Sequence, residues 1–179
     1  WHDVPLPGKR RTAYQWELTP EGRELVARAD SSASMYRKRV ARSADTLRDV
    51  EFSWMVQALP EGGDVADVNA CDAAARVLFA FGGDHARLSA RNQLSFELAR
   101  TLTGEAPPFA TLAYVWDTSA PVGRVVTHPR SDRVRKIVVE SGPGGLRQWK
   151  RYRRTVSADY RLAFGEAPGP LLAVAVMTD

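Results

Sequence analysis

The sequence predicts a mainly β domain, an antiparallel β-sandwich or jelly roll with one or two short helices in its connections. Three observations predict it. Short runs of alternating apolar residues recur along the chain, turn-forming residues separate them, and one segment, Thr111-Leu-Ala-Tyr-Val-Trp-Asp117, crowds aromatic and apolar side chains into a β-prone stretch. In that segment, period-2 alternation sends Leu112, Tyr114 and Trp116 to one side of a sheet and Ala113, Val115 and Asp117 to the other. Both sides are largely apolar, so the strand is expected inside a layered structure with both faces covered at least in part.

The remaining elements follow in order. Thr12–Leu18 reads as a strand, closed by the turn Thr19-Pro-Glu-Gly22 and followed by a second strand, Arg23–Ala29. Ser34–Val40 and Val50–Ala58 come next, the latter ending at Pro60-Glu-Gly-Gly63, with Phe52, Trp54 and Val56 on one face. Ala73–Phe81 sets Val77, Phe79 and Phe81 opposite Arg76, Leu78 and Ala80, and Gly82-Gly83 ends it. Ser89 caps a predicted helix running to about Thr103, with Leu94, Leu98 and Leu102 at i, i+4 and i+8 and Gly104 at its end. Arg133–Glu140, Trp149–Val156 and Leu171–Met177 are further strands. Gly142-Pro-Gly-Gly145 reads as a hairpin turn, and Ser157 caps a short second helix, Ala158–Phe164, ended by Gly165. Helices at these positions do not permit a regular βαβ series, so a doubly wound fold is not expected.

Length and composition bound the function. A chain of 179 residues fits one domain, 1–179, without a visible internal boundary, and can bury roughly 70% of its unfolded surface. Net charge is only +4. The basic clusters Arg37-Lys38-Arg39 with Arg42, and Lys150-Arg151-Tyr152-Arg153-Arg154, are diluted by acids and alternate between faces, so a nucleic-acid partner is not expected. Cys71 is the only cysteine and is expected to act as a small buried hydrophobe. The longest apolar run, Leu171–Met177, is far short of a membrane span. The chain opens at Trp1, which reads as a processed or trimmed start. A phosphate-cradling glycine loop, a Gly-x-Ser-x-Gly elbow and Cys/His metal spacing do not occur in it.

The segments Ser32–Arg39, Asp72–Phe81, Thr111–Asp117, Ser131–Gly142, Ser157–Pro168 and Ala173–Asp179 together resemble the bacterial Domain of Unknown Function 3047 family. Tyr-Val-Trp-Asp and Ala-Asp-Tyr-x-x-x-Phe-Gly carry the resemblance as a pair. It implies a protein commonly made with an export signal, hence periplasmic or secreted, and implies no activity. The family usually continues beyond the position of Asp179 with polar sequence. At the level of fold, the chain also resembles jelly-roll carbohydrate-binding modules of galactose-binding or concanavalin-like type, and sandwich-fold polysaccharide lyases and hydrolases.

A glycan or a similar small polar ligand, bound without catalysis, is therefore the expected partner. Trp54, Tyr114, Trp116 and Asp117 with Arg76, Arg133 and Arg135 are the expected ligand-binding set, because sugar C–H faces stack on aromatic rings and polar side chains bind the hydroxyls. In the structural reading of the same residues, the rings fill the core and Arg76 pairs with Asp117 or Asp72. An enzymatic alternative uses Tyr114 or His85 as the base of a lyase, with Arg135 on a substrate carboxylate, or a carboxyl pair drawn from Asp117, Asp72, Glu97 and Glu140. A third alternative is a structural module that binds other envelope proteins. The acidic loop Asp64, Asp67, Asn69 and Asp72 offers oxygen ligands for a structural calcium ion. In the second helix, Asp159 is expected to support the N-terminus while Tyr160 and Phe164 share a face against the sheet.

Overall fold

The computed structural model describes residues 1–20, 22–67 and 71–179. Its strands are β1 (His2–Pro5), β2 (Ala13–Thr19), β3 (Gly22–Arg28), β4 (Ser34–Arg42), β5 (Asp49–Trp54), β6 (Ala75–Phe81), β7 (Ala110–Asp117), β8 (Val125–His128), β9 (Ser131–Ser141), β10 (Lys150–Thr155) and β11 (Leu171–Thr178). Two α-helices, α1 (Ala90–Thr103) and α2 (Val156–Phe164), complete it together with short 3-10 turns. The chain is mainly β, as the alternating runs predict. Two facing antiparallel sheets are not what forms. One seven-stranded sheet runs in the order β1-β4-β11-β6-β7-β9-β8, and β10-β5 and β2-β3 are separate two-stranded ribbons. The large sheet is mixed, because β7 and β9 pair in parallel, Tyr114 beside Ile137, while β6 and β7 pair antiparallel.

Every predicted strand has a counterpart, and β1 and β8 are additional; at four residues each they are too short to show a period. Gly142–Gly145 is not a hairpin turn. It forms a 3-10 turn that carries the chain out of the large sheet, after which β10 pairs with β5, Tyr152 opposite Phe52. Gly142 has φ 70°, a backbone state that glycine reaches without strain.

The main core lies on one face of the large sheet. Phe79, Phe81, Leu112, Tyr114, Trp116, Ile137 and Leu171 pack there against Trp54 of the β5–β10 ribbon and Val156 and Tyr160 of α2. In α2 the buried positions Val156, Asp159, Tyr160 and Ala163 recur at helical spacing. Tyr160 meets Phe81 edge-on at 4.7 Å and stacks on Phe164 at 4.4 Å. The helix starts two residues earlier than the sequence suggests, at Val156, with no side-chain cap, and ends at left-handed Gly165. The second face carries a smaller core of Ala113, Val115, Val126 and Val138, covered by Val65 and Ala73 from the segment between β5 and β6.

Helix α1 forms where expected, with Ser89 accepting from Asn92 N and Gly104 in the left-handed conformation. Its leucine stripe faces water: Leu94, Leu98 and Leu102 are exposed, and Asn92 is the buried residue. Asn92 is tied to the sheet instead, donating to Asp132 and accepting from Ser131 Oγ at 3.3 Å.

Candidate functional site

The rings expected to floor a cleft lie in the core. Tyr114 and Trp116 are each 0% exposed and Trp54 is 8% exposed. The physical reason is the cover on that face. Phe52 stacks on Tyr114 at 5.6 Å and on Tyr152 at 5.1 Å, and Trp54 approaches Trp116 at 6.4 Å. A sugar could reach these rings only by displacing the β5–β10 ribbon. Trp116 Nε1 donates to Gly142 O at 3.0 Å, so the one polar atom of the buried indole is satisfied.

The polar residues of the same set serve the fold. Asp117, 1% exposed, accepts backbone N–H groups from Val65 at 3.0 Å, Ser119 at 2.8 Å and Ala120 at 2.6 Å. Burial opposes its charge, yet these three donors and the Arg124 charge outweigh burial and hold its carboxyl below the ordinary range. Tyr114 O–H donates to Asp159 Oδ2 at 2.6 Å, and Arg154 clamps both oxygens of Asp159 at 2.9 and 2.8 Å. Burial first, and the Asp159 carboxylate second, push the Tyr114 phenol well above its ordinary pKa. A phenol held neutral and enclosed in this way is not placed to act as a lyase base. Arg133 reaches Glu166 at 2.6 Å and Phe109 O at 3.1 Å, and lies 4.0 Å over the Phe109 ring. Arg135 donates to Thr127 Oγ1.

One pairing differs from expectation. Arg76 pairs with Asp179 at 2.7 Å, not with Asp117 or Asp72. Among the described residues no group of three His, Cys, Asp or Glu side chains is placed to hold a metal. Asp64 Oδ1 instead accepts from Ala66 N at 2.8 Å, Asp67 and Asp72 do not join it in such a group, and Asn69 lies outside the described residues. The basic clusters are answered by acids, Arg37 and Arg39 by Glu105 and Arg153 by Asp49.

The structure brings together two groupings that the local sequence does not announce. The first is an aromatic surface at the β1 edge of the large sheet. The β2–β3 ribbon is fastened to β4 by Tyr14 O–H, which donates to Ser34 O at 2.6 Å, and by Thr12 N, which donates to Ser34 Oγ at 3.1 Å. Tyr36 is thereby sandwiched, with Tyr14 stacked at 5.2 Å and Trp1 at 5.9 Å with 9° between planes. Trp16 Nε1 donates to Tyr36 Oη at 3.3 Å, and the Arg23 guanidinium lies 5.4 Å from the Trp16 ring centre. Trp1 and Trp16 remain 49% and 43% exposed, and with Arg23 and Tyr36 they line an open depression of about 380 Å³.

The second grouping is polar and enclosed, on the sheet face opposite the main core. Lys136 of β9, 3% exposed, donates from Nζ to Val65 O at 2.6 Å and to Cys71 Sγ at 2.6 Å. Arg76 of β6, 7% exposed, donates to Cys71 O as well as to Asp179. Cys71 is half-buried among charges, not a plain hydrophobe. His128 sits close by at the end of β8. Burial, then the charges of Lys136, Arg76 and Arg130, push its pKa down to about 4, and its Nδ1 accepts from Arg130 N at 3.1 Å.

The His128 shift has a testable sign. An unfolded histidine gains its proton near pH 6.5, whereas the folded one resists until about 4. Above pH 6.5 the group contributes nothing to the pH dependence; between 6.5 and 4 the unfolded state takes up more protons and stability falls. His128→Gln is expected to flatten that limb in urea unfolding curves measured across this range, and an unchanged slope would contradict the assignment.

Fold and site define a mainly β protein built on one mixed sheet, with an exposed aromatic surface at one edge. A family model described as a protein of unknown function (DUF3047) matches residues 1–179, and the chain belongs to that family. No curated protein matches the chain. No helix among the described residues is long and apolar enough to cross a membrane.

Proposed function

We propose that this protein binds a carbohydrate or a similar polar ligand in the bacterial envelope, without catalysis. One observation carries the reading: four aromatic side chains, Trp1, Tyr14, Trp16 and Tyr36, converge at the β1 edge with two indoles open to water. Pyranose rings present C–H faces that stack on such surfaces, and the Arg23 guanidinium beside Trp16 supplies donors to hydroxyl or carboxylate oxygens. The neighbouring stacks fix the ring orientations before a ligand arrives, which lowers the ordering cost of binding. The envelope setting rests on the family resemblance.

The test is intrinsic tryptophan fluorescence titrated with a panel of neutral and acidic oligosaccharides. Binding is expected to perturb Trp emission. Trp16→Ala is expected to weaken it about tenfold, roughly 1.4 kcal/mol, and to move unfolding stability by less than about 0.5 kcal/mol because the residue is exposed. A panel without any response, or a Trp16→Ala protein that binds as tightly as the parent, defeats the proposal.

A further inference from the structure

We propose that the aromatic surface at the β1 edge holds its ligand by carboxylate groups, so that the glycan it binds is built of uronic acids, a narrowing that rests on the carbohydrate reading of the same surface. The register of the β2–β3 ribbon sorts its side chains into two unlike faces. Trp16 lies opposite Leu25 and Leu18 opposite Arg23, so Tyr14, Trp16, Leu18, Arg23 and Leu25 share one face. Glu17 and Glu24 lie opposite each other on the other face. There Arg28 reaches Glu17 at 3.2 Å, and Thr19 Oγ1 donates to Glu24 at 3.2 Å. The ribbon thus keeps these acids away from its aromatic face, where Arg23 is the charged residue.

Arg23 is exposed, lies 5.4 Å from the Trp16 ring centre and makes no ion pair among the described residues. Its N–H fork is therefore open to a carboxylate. A second donor stands beside it. Tyr36 Oη accepts from Trp16 Nε1 at 3.3 Å, and its own O–H finds no acceptor among the described residues. The stacks with Tyr14 and Trp1 hold that phenol in place. Lys38, two residues beyond Tyr36 on β4 and so on the same face, is exposed and also makes no ion pair among the described residues. Asp3, in register with Tyr36, is the acid that β1 brings to this face, and Arg11 answers it at 3.3 Å. The depression itself is lined by Trp1, Trp16, Arg23 and Tyr36, without an acid.

A uronic acid matches both parts of this surface. The C–H face of its ring stacks on an open indole, and its carboxylate accepts from Arg23 and from the Tyr36 O–H. A neutral sugar meets the same rings but offers Arg23 only hydroxyl oxygens, which make weaker bonds to a guanidinium than a carboxylate does.

The experiment titrates the full chain at neutral pH with oligogalacturonate and with its methyl ester, which has the same rings without the charge, and follows Trp emission at low and high salt. The acid is expected to bind about tenfold tighter than the ester, the size of one hydrogen bond to a charged group. High salt is expected to narrow that gap, because exposed charges are screened. Arg23→Gln is expected to bring the two affinities within about twofold of each other, and Arg23→Lys, which keeps the charge without the fork, to leave an intermediate gap. An ester that binds as tightly as the acid, or an undiminished gap in the Arg23→Gln protein, overturns the carboxylate inference and leaves the carbohydrate reading standing. Binding of other neutral oligosaccharides with neither galacturonide bound does the same. Silence towards the galacturonides and towards every neutral sugar overturns both.

Discussion

Trp116→Ala is expected to lower the free energy of unfolding by about 3–5 kcal/mol, the range for emptying a buried indole site. Trp116 is fully enclosed, lies 6.4 Å from Trp54 and donates its N–H to Gly142 O. Removing the ring takes away its packing, opens a cavity beneath the β5–β10 ribbon, and leaves the Gly142 carbonyl without its indole donor. In a chain of 179 residues each kcal/mol moves the melting temperature by about 2–4 °C, so a fall on the order of 10 °C is expected. Because Trp54 and Trp116 share the cavity, Trp54→Ala with Trp116→Ala should cost less than the two losses added. Thermal or urea unfolding reads both. A single variant that melts within about 2 °C of the parent would show that the ring is not the core element its burial indicates.

That result separates two kinds of aromatic residue which the sequence does not distinguish. Tyr114 and Trp116 alternate along β7 in a pattern that suits an open sheet floor as well as a covered one. What decides is the cover: Phe52, Trp54 and Tyr152 arrive from β5 and β10, and Val156 and Tyr160 from α2. Those contacts are set by non-local pairing that periodicity does not encode. The strands themselves were legible because each carries a period-2 pattern between turn residues, and α2 because Ser157–Gly165 brings a helical face and a glycine stop. The parallel β7–β9 pair was not legible. The short β8 lies between those strands in the chain and pairs antiparallel with β9, and its four residues give no pattern to read.

The sites were less legible still. The aromatic surface draws Trp1 from just before β1, Trp16 from β2 and Tyr36 from β4; its only local signal is the indole of Trp16 flanked by Gln15 and Glu17 on a hairpin that is exposed along much of its length. Cys71 and Lys136 are 65 residues apart and meet only because the segment after β5 folds across β9. Arg76 is a charge on an apolar strand and requires a partner. The pattern gave the need but not the partner, since Asp179 comes from the other end of the chain. The exposed leucines of α1 show the converse: i, i+4 spacing identifies a helix without saying which face the rest of the protein covers.

Asp117→Ala is expected to destabilise the protein by about 3–5 kcal/mol although it removes no ring and little volume. The carboxylate satisfies three backbone donors at once, and each donor left buried and unpaired costs about 1–3 kcal/mol; the N–H groups of Val65, Ser119 and Ala120 would be those donors. Two of them set the turn after β7, and the third holds Val65 over the second core. The loss should therefore appear as loosening of that face, read by hydrogen exchange at Val65 and Ala120 before global unfolding. The pH dependence has a defined sign. Because the folded carboxyl titrates below its ordinary value, its contribution is fully present above about pH 4, and is lost as pH falls through the depressed folded value. The parent should lose stability in that acid window, and Asp117→Asn, which keeps an acceptor oxygen but no charge, should lose less there while being weaker at neutral pH. If the parent and Asp117→Asn proteins instead show the same acid limb, Asp117 is not the group that responds, and the three-donor cap does not hold the turn after β7.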